Sequence, residues 1–160
     1  MKRAMLPGSF DPPTMGHMNI IERAAALFDE LYIVIADNIS KKCLFTPEER
    51  KEMILESLPG IGNIRVEIYQ GLTVDFASEH DVDVIVRGVR AMNDFSYEFE
   101  LAMTNKMLNP NVDVIFIPTD PQYFLIRSSQ IKEMAEFGAD FSPMVPEPVR
   151  KKLREKFPRS

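Results

Sequence analysis

Gly8-Ser9-Phe10-Asp11-Pro12-Pro13-Thr14-Met15-Gly16-His17 is the stretch of this chain best equipped to do chemistry. A short apolar run, Ala4-Met5-Leu6, precedes it, and a helical pattern from Met18 to Phe28 follows. A strand that turns through glycine into a helix N-terminus presents free backbone N–H groups and a positive dipole end to an anion. Ser9 adds a hydroxyl and His17 an imidazole at the edges of that turn. Glycine, hydroxyl and histidine at a strand–helix junction suit phosphate chemistry. Such a turn taken alone also fits a plain helix start with His17 as a cap, so other segments must decide.

Three of them bear on the question. Arg87-Gly88-Val89-Arg90 ends an apolar run. Its guanidinium groups offer forked donors that match phosphate oxygens, although surface arginines are an ordinary alternative. Ser128 and Ser129 open a helical pattern, where hydroxyls cap the helix or, with its free N–H groups, hold a polyphosphate. Lys41-Lys42 lies in a polar loop, as solvated lysines or as a mobile phosphate contact. His80, in a polar Glu79-His80-Asp81 turn, reads as surface, and the aromatic residues of the 94–108 helix read as core. The two histidines and scattered acids have no metal-ligand spacing. Gly60-Ile61-Gly62 lacks the third glycine and the preceding strand of a dinucleotide fingerprint.

The elements that must position these groups alternate along the chain. Strands are expected at 2–6, 31–36, 64–69, 83–87 and 113–118, and helices at 17–28, 47–58, 72–79, 94–108, 129–136 and 147–156. The runs Val82–Val86 and Val112–Ile117 are rich in β-branched residues, as buried parallel strands are. Thr46-Pro47-Glu48-Glu49 is a helix start, with a capping threonine, proline in the first turn and Glu49 closing a capping box. Alternation of this kind predicts an α/β fold, a doubly wound five-stranded parallel sheet, in one domain over residues 1–160. Ligands of such sheets bind beyond the carboxyl ends of the strands. Ser9 and His17, Lys41, Gly71-Leu72-Thr73, Arg87 with Arg90, and Ser128 with Ser129 all follow successive strands, so one edge of the sheet collects them.

Composition narrows the partners. A net charge of −5 argues against a general nucleic-acid surface, and the basic run Arg150–Lys156 reads as the solvated face of a last helix. No apolar run is long enough to span a bilayer, and Met1-Lys2-Arg3-Ala4 does not begin a signal peptide. One cysteine, Cys43, excludes an internal disulfide framework and a cysteine metal cluster, which fits a reducing cytoplasm.

Assembled, these segments resemble the bacterial phosphopantetheine adenylyltransferases within the nucleotidyltransferase superfamily. The resemblance runs through Pro7–Pro12 with Gly16-His17, Ser40-Lys41-Lys42 with Phe45-Thr46 and Glu48-Glu49-Arg50, Arg87–Arg90 with Asp94-Phe95, Tyr97 and Glu98, and Ile126, Ser128-Ser129 and Lys132-Glu133. It implies a Rossmann-like fold and transfer of AMP from ATP to 4′-phosphopantetheine, with Mg²⁺ carried on the ATP phosphates rather than by protein side chains. It further implies a homohexamer and coenzyme A as a possible feedback inhibitor. By the same resemblance, His17 meets the α-phosphate, while Ser9 and Lys41 hold the attacking phosphate and reacting centre. Arg87 contacts the phosphopantetheine phosphate, and Arg90, Ser128 and Ser129 the ATP β- and γ-phosphates. Phe10, Gly16, Gly88, Glu98 and Tyr123 correspond to the nucleotide pocket, and Leu72, Thr73, Asn105 and Glu133 to the pantetheine arm. Ser9 stands where threonine is usual, Leu6 where tyrosine is frequent, and Arg127 where the first of three serines stands. Adjacent residues at a helix start face different ways, so Arg127 is expected to point outward to water or an acidic partner. Two other readings compete: another adenylyl- or cytidylyltransferase of the superfamily with a different acceptor, and a nucleotide-binding regulator without catalysis.

Overall fold

The alternating pattern folds as read. In the computed structural model, which describes residues 1–158, the strands are β1 (Arg3–Gly8), β2 (Glu30–Ala36), β3 (Ile64–Tyr69), β4 (Val84–Val89) and β5 (Asp113–Pro118). The helices are α1 (Met15–Leu27), α2 (Pro47–Ser57), α3 (Thr73–Glu79), α4 (Met92–Leu108), α5 (Ser128–Glu136) and α6 (Glu147–Lys156). All strand pairs are parallel, in the order β3-β2-β1-β4-β5. The order reverses at β1, which makes the β1–β4 junction the switch point of the sheet.

Strand alternation divides the apolar residues between the two faces. Ala4, Leu6, Leu31, Ile33, Ile35, Val66 and Val86 pack against Ile20, Ile21 and Ala24 of α1 and Ile54 of α2. Met5, Tyr32, Val34 and Ile85 pack on the opposite face against Val74, Phe76 and Ala77 of α3. A third cluster lies off the sheet, where Phe45 and Met53 meet Ile131 and Ala135 of α5 and Val149 and Leu153 of α6. The basic run on α6 is more than a solvated face: Lys152 pairs with Glu52 at 3.3 Å, and Lys156 lies 5.6 Å from the Phe45 ring centroid.

Register sets up the switch point. β1 pairs with β2 over its whole length, from Arg3↔Glu30 to Gly8↔Ile35. With β4 it pairs only at Ala4↔Val84 and Met5↔Ile85. Beyond Met5 and Ile85 the two central strands part, and their carboxyl ends open a gap. Gly88 lets α1 approach that gap, because a Cβ there would lie 3.2 Å from Ile20 Cγ1.

Two expectations need correction. His80 is half-buried, because as the C-cap of α3 it stacks on Phe76, one turn back, with ring centroids 3.9 Å apart, and meets the Tyr32 ring of β2. The aromatic residues of α4 are largely outside the core: Tyr97 is 66% and Phe99 47% exposed, and Ala102 is the buried residue of that helix. Phe95 is half-buried against Phe116. The apolar pattern of α4 therefore belongs to a face that this chain does not cover itself.

Ile33 is fully buried in the sheet's first face. Ile33→Ala is expected to lower unfolding free energy by about 2–5 kcal/mol in urea denaturation. Leu55→Ala on the exposed side of α2 is the control, with a change within about 0.5 kcal/mol.

Candidate active site

The gap between β1 and β4 continues into a cavity of about 390 Å³, within the usual range for small-ligand sites. Its walls come from the β1–α1 turn, the end of β4, the start of α4 and the start of α5. Of the residues expected at a site, Phe10, Gly16, His17, Arg87, Gly88, Arg90, Glu98, Ser128 and Ser129 line it. Leu6, Pro7, Thr14, Thr119, Ile126 and Arg127 join them.

His17 occupies the third helical position of α1 and serves in a capping box. The Thr14 hydroxyl accepts from the His17 N–H at 3.2 Å, and the Thr14 N–H donates to His17 Nδ1 at 3.0 Å. A backbone N–H can only donate, so Nδ1 is unprotonated and the neutral ring carries its hydrogen on Nε2. The Phe10 ring packs edge-on against the imidazole, with centroids 4.9 Å apart. Burial, together with the nearby Arg90 charge, pushes the His17 pKa down to about 4. The site thus holds a neutral N–H donor, fixed at the helix N-terminus, where an anion would lie.

Phe10 has φ of 49°, a left-handed backbone that costs an aromatic residue of order 1 kcal/mol or more. Its ring is 2% exposed, and burial of that ring offsets the strain. This turn aims the Ser9 hydroxyl at the Lys41 ammonium, 3.0 Å away. Ser9 and Lys41 form a contact beside the cavity rather than part of its lining.

The two arginines are already engaged. Arg87 donates Nε and Nη2 to the two oxygens of Glu98, at 2.6 and 2.7 Å, and Nη1 to Pro7 O at 3.0 Å. It thereby bridges the parted ends of β1 and β4. Arg90 donates Nε to Asp94 at 3.1 Å and Nη1 to Ile126 O at 2.8 Å, joining α4 to the segment before α5. Ser128 donates to Pro12 O at 2.8 Å, so its hydroxyl ties α5 to the β1–α1 turn, while Ser129 stays exposed.

The outward direction expected for Arg127 is met only in part. Its exposed side chain lines the cavity, and no acidic partner meets it among the described residues. Tyr123, Leu72, Thr73, Asn105 and Glu133 do not line this cavity. Tyr123 stands beside the α1 N-terminus, its Cβ 3.9 Å from where a Gly16 Cβ would lie. Asn105 is two helical turns beyond Glu98 on the same face of α4. Residues with no assigned part also shape the site: Asp11 and Arg50 are buried, and Asn19, Arg23 and Asp120 hydrogen-bond to one another between α1 and the segment after β5. Asp11 and Arg50 sit inside the motifs, but nothing in their spacing discloses burial.

Fold and site define a nucleotidyltransferase class of protein: residues 5–134 match the family model described as cytidylyltransferase-like. A crystal structure from Vibrio parahaemolyticus, provisionally described as a nicotinate-nucleotide adenylyltransferase, superposes with a TM-score of 0.69 at 21% identity, covering 96% of this chain and 99% of that one. At that identity the likeness concerns the fold. Phosphopantetheine adenylyltransferase from Dictyoglomus thermophilum is 46% identical over 157 residues, covering 98% of this chain and 96% of that protein. Its counterpart from Carboxydothermus hydrogenoformans is 50% identical, covering 98% and 97%. The chain belongs to the phosphopantetheine adenylyltransferase family within the cytidylyltransferase-like group.

The protonation of His17 is directly observable. In the folded protein its ring signals should stay constant in an NMR titration from pH 8 to about 5 and move only near pH 4. The unfolded chain takes that proton near pH 6.5, so this histidine's contribution to stability is complete above pH 6.5 and falls as pH drops towards 4.

Proposed function

We propose that this protein transfers AMP from ATP to 4′-phosphopantetheine, giving dephospho-coenzyme A and pyrophosphate. The observation that carries the reading is His17: a neutral imidazole, oriented by the Thr14 N–H and flanked by Arg90, in a cavity at the sheet's switch point. Near-full-length similarity to phosphopantetheine adenylyltransferases selects the acceptor.

The reaction needs no protein nucleophile. An oxygen of the 4′-phosphate attacks the α-phosphorus of ATP in line, a new P–O bond forms, the bond to the bridging oxygen of the β-phosphate breaks, and pyrophosphate leaves with that electron pair. Catalysis is then positioning and stabilisation of charge on the reacting phosphoryl group. His17 Nε2–H donates to the α-phosphate oxygen as charge gathers there. Lys41 and Ser9 hold the incoming phosphate at the reacting centre. Arg87 binds the acceptor phosphate once Glu98 yields part of its fork, while Arg90, Ser128 and Ser129 face the β- and γ-phosphates. Phe10, Gly16, Gly88, Glu98 and Tyr123 bound the nucleotide, and Leu72, Thr73, Asn105 and Glu133 the pantetheine arm. Mg²⁺ enters as part of the substrate, on the ATP phosphates. Among the described residues no three His, Cys, Asp or Glu side chains converge on a metal position.

Residues 1–160 act as one nucleotidyltransferase domain. Self-association into a hexamer is supported by the apolar face of α4, where Met92, Phe99, Met103 and Met107 are exposed. Coenzyme A, which carries the phosphopantetheine arm, acts as a product-like inhibitor. The setting is cytoplasmic, without nucleic acid or membrane; among the described residues no helix is long and apolar enough to cross a membrane.

Pyrophosphate release from ATP should require 4′-phosphopantetheine, and nicotinamide mononucleotide or glycerol phosphate should not replace it. Activity with either alternative instead would assign another acceptor, and nucleotide binding without turnover would make the chain a regulator. His17→Ala should lower turnover by roughly 10²–10³ with little change in ATP affinity, as for a lost preorganised donor. In separate titrations, Arg87→Ala should weaken phosphopantetheine more than ATP, and Arg90→Ala the reverse.

A further inference from the structure

We propose that Arg50 is a positioning residue for this reaction, a buried three-point clamp that holds Ser9 and both ends of the segment carrying Lys41. Its side chain is 2% exposed and among the largest fully buried ones. No carboxylate pairs with it among the described residues. Instead it donates to backbone carbonyls: Nη1 to Ser9 O at 2.7 Å and Ala36 O at 3.5 Å, and Nε to Thr46 O at 3.3 Å. Ala36 ends β2 and Thr46 caps α2, so these two carbonyls bracket residues 37–45. The third belongs to the residue whose hydroxyl receives Lys41 Nζ. One guanidinium thus fixes both partners of the Ser9–Lys41 contact.

A buried, unpaired cation is an expensive way to fill space, and an apolar side chain would pack the slot at less cost. What an apolar residue lacks is a rigid fork of donors that can reach three separate backbone segments. Asp11 makes the complementary attachment from the same turn. At 5% exposure it accepts from the N–H groups of Leu44 and Phe45, both at 2.9 Å, and from Lys132 Nζ at 3.0 Å. Burial by itself would raise its pKa, but those two N–H groups and Lys132 bring it below the usual carboxylate value. The Lys41 segment is therefore fastened to the β1–α1 turn at its start by Arg50 and at its end by Arg50 and Asp11. Lys41 itself is exposed and, without that fastening, free to leave Ser9.

The inference rests on Ser9 and Lys41 serving the attacking phosphate, so the test begins with the unmodified protein. If that protein shows no phosphopantetheine-dependent pyrophosphate release, the functional reading fails. If it is active, the clamp is tested by a double-mutant cycle between Arg50→Lys and Lys41→Ala. Arg50→Lys keeps the charge but not the fork, and should lower kcat at least about tenfold with ATP affinity within about twofold, at unchanged circular dichroism. In the Lys41→Ala background the same substitution should cost less than about threefold, since residues acting through one contact are not additive. Equal costs in both backgrounds, an unchanged kcat, or ATP affinity falling in step with kcat would overturn the proposal. Should the variant not fold, NMR of the unmodified protein gives a second reading: the buried Arg50 Nε–H, bonded to Thr46 O, should exchange with solvent at least about 10³-fold more slowly than that of an exposed arginine, and free exchange there refutes the clamp.

Discussion

Everything at the site follows from the early parting of β1 and β4. Two residue pairs join these central strands, and beyond Met5 and Ile85 the backbone groups that would continue the ladder need other partners. Arg87 meets part of that need by donating from β4 to Pro7 O on β1. The bond keeps the strands at a fixed separation while leaving room between them. A ladder continued to the strand ends would close the cavity, and an unbridged gap would not hold its width. The guanidinium is itself held by Glu98, so α4 is referenced to the sheet through the same side chain.

The second constraint is electrostatic. The chain carries a net charge of −5, yet the cavity gathers Arg87, Arg90 and Arg127 around the N-terminal ends of α1 and α5. Arg87 is neutralised by Glu98 and Arg90 by Asp94, while Arg127 has no acidic partner among the described residues. His17 adds a donor without adding charge, because burial and Arg90 keep it neutral. Positive charge is thus gathered at the cavity, and the paired carboxylates limit it there.

Much of this was legible in the sequence because each element advertises itself locally. The capping box at Thr46, the β-branched runs of β4 and β5, and the glycine turn after β1 place every strand and helix to within about two residues. The cavity residues gather because parallel strands deliver their carboxyl ends to one edge. What local pattern does not carry is partnership across the fold. Glu98 is acidic and early in its helix, which explains it adequately until Arg87 is seen against it. Arg50 and Asp11 look like surface charges beside helix starts, and their burial depends on segments far away in sequence. Phe95 and Phe99 have the i, i+4 spacing of one helical face, but spacing does not say whether the covering surface belongs to the same chain. Alternation between neighbours turns Arg127 away from Ser128, yet both residues line the cavity.

The third apolar cluster has a consequence for synthesis. Phe45 and Met53 are buried against α5 and α6, whose residues leave the ribosome after those of the sheet. The sheet, complete by Pro118, can form while that surface of α2 still lacks its cover. Arg50 lies on α2 beside it, and Lys132 and Ser128 reach the β1–α1 turn from α5. A ribosome stalled ahead of α5 would carry a sheet whose cavity lacks the wall that α5 supplies, and an uncovered apolar patch, the kind of surface that chaperones engage.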